Sequence, residues 1–165
     1  MKYLALVAGL AGAGAMAQFP EASQHYVQRL AGAVDELSIV VADFDRSAQS
    51  AGLTRQEALA ELSGSAFLSA RNADMTRTIT RYEALSADLA LLRAAGPVER
   101  AILLPARLDT EIGRRALQDF RPALPLSANG AVFAGAGFIC GYALLAGLAA
   151  LLARLFRRRR VLTSG

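Results

Sequence analysis

Hydrophobic positions along the 165 residues fall into three regimes, an unbroken apolar run near each end and a periodic pattern between them. The later run, Ala128 to Ala153, holds twenty-six residues without a charge. As a helix it reaches about 39 Å, more than a bilayer core of roughly 30 Å, so it predicts a tilted membrane span. The earlier run, Tyr3 to Ala17, follows Met1 and Lys2. Its fifteen residues and its Ala15-Met16-Ala17 ending fit a signal peptide cleaved before Gln18. With Gln18 and Phe19 added it also reaches the lower limit for an uncleaved span. Small residues at Ala5, Gly9, Ala13 and Ala17 recur every fourth position, and Gly137 and Gly141 form a GxxxG element. Both spacings allow membrane helices to approach closely.

Between the runs the period changes. Val27, Leu30, Val34, Leu37, Val41, Phe44, Ala48 and Ala51 alternate in steps of three and four, a heptad seam that predicts a helix of about 30 residues. Pro20 fits its first turn, where the missing N–H removes no helical bond. Gly52 is expected to end it in the left-handed conformation, and Thr54-Arg55-Gln56-Glu57 reads as a capping box that opens the next helix and folds the chain back as a hairpin. That second helical region runs from Arg55 toward Ala95, with Leu59, Leu62, Ala66, Met75, Ile79, Tyr82, Leu85, Leu89 and Leu92 as its apolar face. Ser63-Gly64-Ser65 is a candidate break within it, and the alternation from Thr76 to Tyr82 also fits a short strand. Gly96-Pro97 is a stop followed by a start. A third region, Val98 to Phe120, contains Pro105, which should kink or divide it. Pro122, Pro125 and a capping Ser127 mark the join to the last helix.

Charge then sets an expected orientation. All 14 carboxylates lie between Glu21 and Asp119, and twelve arginines lie between Arg29 and Arg121, so the middle carries a balance of −2. The positive total comes from Lys2 and from Arg154, Arg157, Arg158, Arg159 and Arg160, packed against the end of the apolar run. Basic flanks resist translocation, so Lys2 and this block are expected in the cytoplasm and the middle across the membrane. Arg107, Arg114, Arg115 and Arg121 precede the run but are interspersed with Asp109, Glu111 and Asp119. The sequence pI of 9.8 thus describes a membrane flank and gives no support for nucleic-acid binding.

Candidate chemistry is sparse. Cys140 is the sole cysteine and lies inside an apolar run, which excludes an intramolecular disulfide and a multi-cysteine zinc site. His25 is the sole histidine; Glu21 stands one helical turn away, but no second histidine or cysteine completes a transition-metal set. Asp43-Phe44-Asp45 begins like a calcium loop, yet Ala48 replaces the turn glycine and Thr54 the bidentate glutamate. Glu57 and Glu61 form a carboxylate pair of a kind common on solvated helix faces, and Arg77 and Arg81 read as another such face, paired with Asp74. The Gly9 to Gly14 glycines follow no strand and lack the Lys-Ser/Thr of a phosphate loop. No catalytic residue, cofactor or metal is assigned.

Gln18-Phe19-Pro20-Glu21, the stretch Gln28-Arg29-Leu30-Ala31-Gly32-Ala33-Val34-Asp35-Glu36-Leu37, and Phe120-Arg121-Pro122-Ala123 together resemble a family of small proteobacterial membrane proteins known only as a domain of unknown function. The resemblance covers nearly the whole chain, including the first apolar run, which implies a retained anchor. It implies no activity or ligand. The expectation is therefore an all-α membrane protein with two transmembrane helices flanking a helical-hairpin or bundle domain. The boundaries are 1–19 for the first span, 20–126 for a periplasmic domain, 127–153 for the second span and 154–165 for a basic tail. Val27, Leu30, Val34, Leu37, Val41 and Phe44 are expected to be a packing seam buried within the chain. The expected setting is the bacterial inner membrane, with lipids and an unidentified protein or a second copy as partners. Three functions compete: a non-enzymatic interaction protein, an accessory subunit of a larger membrane complex and, last, an enzyme or transporter. No Asp, Glu, His, Lys or Arg lies in either apolar run to carry a proton or ion path.

Overall fold

The computed structural model describes the backbone of residues 2–120 and 128–162, and the side chains of 3–120 and 128–154. Among these residues the chain is all-helical: α1 (Lys2–Ala17), α2 (Phe19–Ser50), α3 (Arg55–Glu61), α4 (Ala66–Ala94), α5 (Pro97–Arg107), α6 (Thr110–Asp119) and α7 (Ala128–Leu162). The expected join at Pro122, Pro125 and Ser127 lies outside the described residues. The chain divides into two compact units, Met1–Ser23 with Phe120–Gly165, and Gln24–Asp119.

The first unit is built on α1 and α7. By length and composition, two stretches can cross a membrane: one that begins with α1 and a second over Ala128–Arg154 of α7. The apolar run ends at Ala153, and α7 continues through the arginines to Leu162. Nothing in Arg157-Arg158-Arg159-Arg160 breaks a helix, because arginine is a good helix former. Only Gln18 separates α1 from α2, and Pro20 is the second residue of α2.

The second unit shows how local signals set helix ends. Gly52 has φ +74°, and the Leu53 N–H reaches back to the Ala48 carbonyl at 2.9 Å, the six-residue closure of a Schellman cap. Thr54 then caps α3: its hydroxyl accepts from the Glu57 N–H at 3.3 Å while the Glu57 carboxylate accepts from the Thr54 N–H at 2.8 Å. Ser63-Gly64-Ser65 does break the second region. Gly64 lies at φ +87°, and Ser65 caps α4 by accepting from the Leu68 N–H at 3.2 Å. The Asn72 amide ties the two pieces by donating to the Leu59 carbonyl at 2.6 Å.

Thr76 to Tyr82 is helical, within α4. Its alternation is overridden because Ile79, Leu85, Leu89 and Leu92 share the helical face that is buried, a period of 3.6 that a strand cannot satisfy. The third region divides in two. Pro105 stays inside α5, and the division falls at Leu108 and Asp109, where Asp109 caps α6 by accepting the N–H groups of Glu111 and Ile112 at 3.1 and 3.0 Å.

These ends gather one apolar core in the second unit. Val27, Leu30 and Val34 of α2 meet Leu85, Leu89 and Leu92 of α4 and Ile112 and Ala116 of α6; Leu37, Tyr82, Leu103 and Leu104 close its margins. Leu30 and Leu92 are both 0% exposed, so full burial of each stabilises the fold by about 1.5–3 kcal/mol.

Candidate functional site

Within the first unit α1 and α7 meet backbone to backbone. A Cβ placed on Gly12 would lie 2.3 Å from the Gly137 carbonyl oxygen, and one on Gly141 would lie 2.3 Å from that of Ala8. Residue numbers rise on one helix as they fall on the other, so the pair is antiparallel. Approach this close requires glycine, because any side chain would hold the helices apart. The Phe138 ring lies where a Gly9 side chain would be, and Phe19 stacks on Phe133 with centroids 5.3 Å apart. Gly137 and Gly141 of the sequence motif thus face Ala8, Gly9 and Gly12 of the same chain. Ala5 and Ala17 of the four-residue spacing are buried, but Gly12, outside that spacing, makes the tightest contact.

The seam residues of the second unit are placed as follows. Val27, Leu30, Val34 and Val41 are buried, whereas Leu37 and Phe44 are half-buried. Tyr26, beside Val27, has a role that the heptad pattern does not show. Its hydroxyl donates to the Arg107 carbonyl at 3.2 Å and accepts from the Asp109 N–H at 2.9 Å, pinning α2 to the α5–α6 junction. Burial above all raises this phenol above its ordinary pKa of 10, and the Asp109 N–H pulls the other way.

Of the charged residues considered for chemistry, Asp43, Asp45, Glu57, Asp74, Arg77 and Arg81 are held in structural pairs or caps. Asp43 accepts from Arg46 at 2.8 Å, and Asp45 takes the two-pronged fork of Arg55 at 2.7 and 2.6 Å. The Arg55 fork holds the Asp45 carboxyl below its ordinary 3.8, and Thr54 lowers that of Glu57 through its N–H and hydroxyl. Arg77 pairs with Asp74 as the sequence suggested. Arg81 does not: it reaches Asp109 at 3.1 Å and Glu111 at 3.7 Å on α6, because one further turn along α4 brings it opposite that helix. Among the described residues no group of three or more His, Cys, Asp or Glu side chains is placed to hold a metal ion. His25 and Glu21 both have interaction partners, and Cys140 is exposed on α7. The side chains of Lys2 and Arg157 to Arg160 lie outside the described residues; Arg154 is exposed.

A cleft of about 340 Å³ opens between α2, α4 and α5, lined by Gln24, Val27, Gln28, Ala31, Arg93 and Arg100. Arg100 spans it: Nε and Nη2 donate to the carbonyls of Leu92 and Ala95 at 3.1 and 3.0 Å, and Nη1 donates to the Gln24 Oε1 at 3.1 Å. No sequence motif marks this cleft. The signal in retrospect is Arg100 five residues after Ala95, the C-cap of α4, within reach of the carbonyls that the helix leaves open.

No curated protein and no solved structure matches the chain. A family model does, over residues 1–158, which takes in α1 to α6 and all but the last four residues of α7. The chain belongs to the family described as protein of unknown function (DUF2937).

Proposed function

We propose that the protein is a non-enzymatic integral protein of the bacterial inner membrane, anchored by α1 and α7, whose Gln24–Asp119 helices stand on the periplasmic side and engage a protein partner or a second copy. The carrying observation is the backbone contact of α1 with α7. It supports a retained first helix, because removal of α1 would strip Gly137 and Gly141 of the surface they fit. The outward faces of this pair support a bilayer setting: Leu4, Val7 and Leu10 on α1 and Ile139, Leu144 and Leu148 on α7 are all exposed, an apolar area that lipid accommodates and water does not. The C-terminal arginine block supports the orientation.

A binding role for the second unit rests on its surface. Val98 and Ile102, one turn apart on α5, are exposed, while most of the charged side chains are committed to ion pairs and caps. Reporter fusions after Gly96 and after Gly165 test the arrangement. Activity of an export-dependent reporter at Gly96 and of a cytoplasmic reporter at Gly165 is expected; the reverse pattern overturns the orientation.

A second reading, an accessory subunit of a larger membrane complex, draws on Gly135 and Gly147. A Cβ at either would meet nothing within 4 Å, leaving room for another helix on α7. Co-purification of a stoichiometric membrane protein in mild detergent would favour it over the first.

A further inference from the structure

Of the eleven arginines between Gln24 and Asp119, eight have a carboxylate partner. The three without one among the described residues are Arg93, Arg100 and Arg114. Two of these three line the same cleft, and no carboxylate lines it. A domain that pairs eight of its eleven arginines with carboxylates leaves two positive charges facing one cavity.

The hydrogen bonding sharpens the point. Arg100 is held in place by the Leu92 and Ala95 carbonyls and by Gln24, three contacts that leave two of its five N–H donors unassigned. Gln24 spends its carbonyl oxygen on Arg100, which leaves its amide N–H groups as donors; Gln28, one turn along α2, adds a second amide. Arg93 makes no hydrogen bond or ion pair among the described residues. Val27 and Ala31 supply an apolar wall.

From this we infer that the cleft between α2, α4 and α5 binds a phosphate group, gripped by Arg93 and Arg100 with the amides of Gln24 and Gln28. Planar guanidinium forks match phosphate oxygens in charge and geometry, and neutral amide donors complete the shell without repelling an anion. The cleft, at about 340 Å³, is in the size range of small-molecule sites. Room remains beside Val27 and Ala31 for the carbon chain that carries the phosphate. Two sources offer this chemistry, a soluble phosphate ester and the headgroup of an anionic phospholipid.

The test uses the full chain in uncharged detergent. For a soluble ligand, inorganic phosphate and glycerol phosphate raise the melting temperature, while chloride at equal ionic strength does not. For a lipid headgroup, soluble phosphate is without effect; vesicles of phosphatidylglycerol in phosphatidylcholine bind or stabilise the protein more than phosphatidylcholine alone. In whichever arm responds, Arg93→Gln weakens binding about tenfold, the effect of losing one charge-assisted contact. Its melting temperature without ligand stays at the wild-type value, since Arg93 holds nothing in place. Gln28→Glu, which sets a carboxylate in the cleft, abolishes the response. Arg114→Gln, a carboxylate-free arginine outside the cleft, leaves it intact. Silence in both arms overturns the inference, as does an Arg93→Gln variant that responds like Arg114→Gln.

Discussion

A Cβ at Gly137 would lie 2.2 Å from the Gly12 carbonyl oxygen and 2.7 Å from the Met16 Cβ. Both obstacles are fixed to the backbone or one bond from it, so no rotamer change relieves the clash and the helices must move apart. Gly137→Ala should therefore destabilise the α1–α7 pair by about 1–3 kcal/mol, the usual cost of overpacking a tight contact. Gly135→Ala, on the open side of the same helix, should stay within about 0.5 kcal/mol of wild type or gain slightly from the better helix former. Equilibrium unfolding of the two variants in detergent checks this; equal losses would show that the glycine contact does not decide the packing. The GxxxG half of the contact was legible in the sequence, whereas Gly12 was not. A strict four-residue spacing turns 400° per step and drifts about 40° around the helix, so a straight contact must alternate threes and fours. Ala5, Gly9 and Ala17 of that spacing are buried, and Gly12, three residues beyond Gly9, is the face position that the spacing leaves out.

Helix ends were the most readable elements, because their causes are local. Gly52, the Thr54–Glu57 box, the Ser63-Gly64-Ser65 break and the Gly96-Pro97 start each depend on residues within one turn. What the sequence hid is what spans elements: Arg55 on Asp45 across the α2–α3 corner, Arg81 on Asp109, Tyr26 on the α5–α6 junction. Periodicity places a residue on a face and says nothing of which distant helix it meets. The corner pair carries a pH consequence. The folded-state pKa of Asp45 lies below its ordinary value, so the stability it contributes is complete above pH 3.8 and is lost as pH falls through the lower folded value. Asp45→Asn should flatten that part of the acid-unfolding profile and lower stability at pH 7 while leaving the Glu57 cap in place. Thermal melts from pH 2.5 to 7 test it; an unchanged acid profile in Asp45→Asn would show that the fork does not stabilise the corner.

At the scale of the whole molecule, the all-helical architecture follows from two apolar runs around one seam of period 3.5, all of it visible in the sequence. The cleft at Arg93 and Arg100 was not visible, since its walls come from three separate helices. The proposed bilayer setting has a built-in probe. Cys140 is the sole cysteine, exposed on α7 and near the middle of the Ala128–Ala153 run. In intact membranes its thiol should resist a water-soluble maleimide and should react after denaturation in detergent, because hydrocarbon excludes the reagent. Rapid labelling in intact membranes would place α7 in water. The core of the second unit has a further consequence, one of timing. Leu30 emerges from the ribosome about 55 residues before Leu85 and about 80 before Ile112, the residues that cover it. At roughly 5–20 residues per second, the α2 seam stays uncovered for on the order of 3–16 seconds during each round of synthesis. For that interval a growing chain carries an apolar helix face whose covering residues have not yet been made.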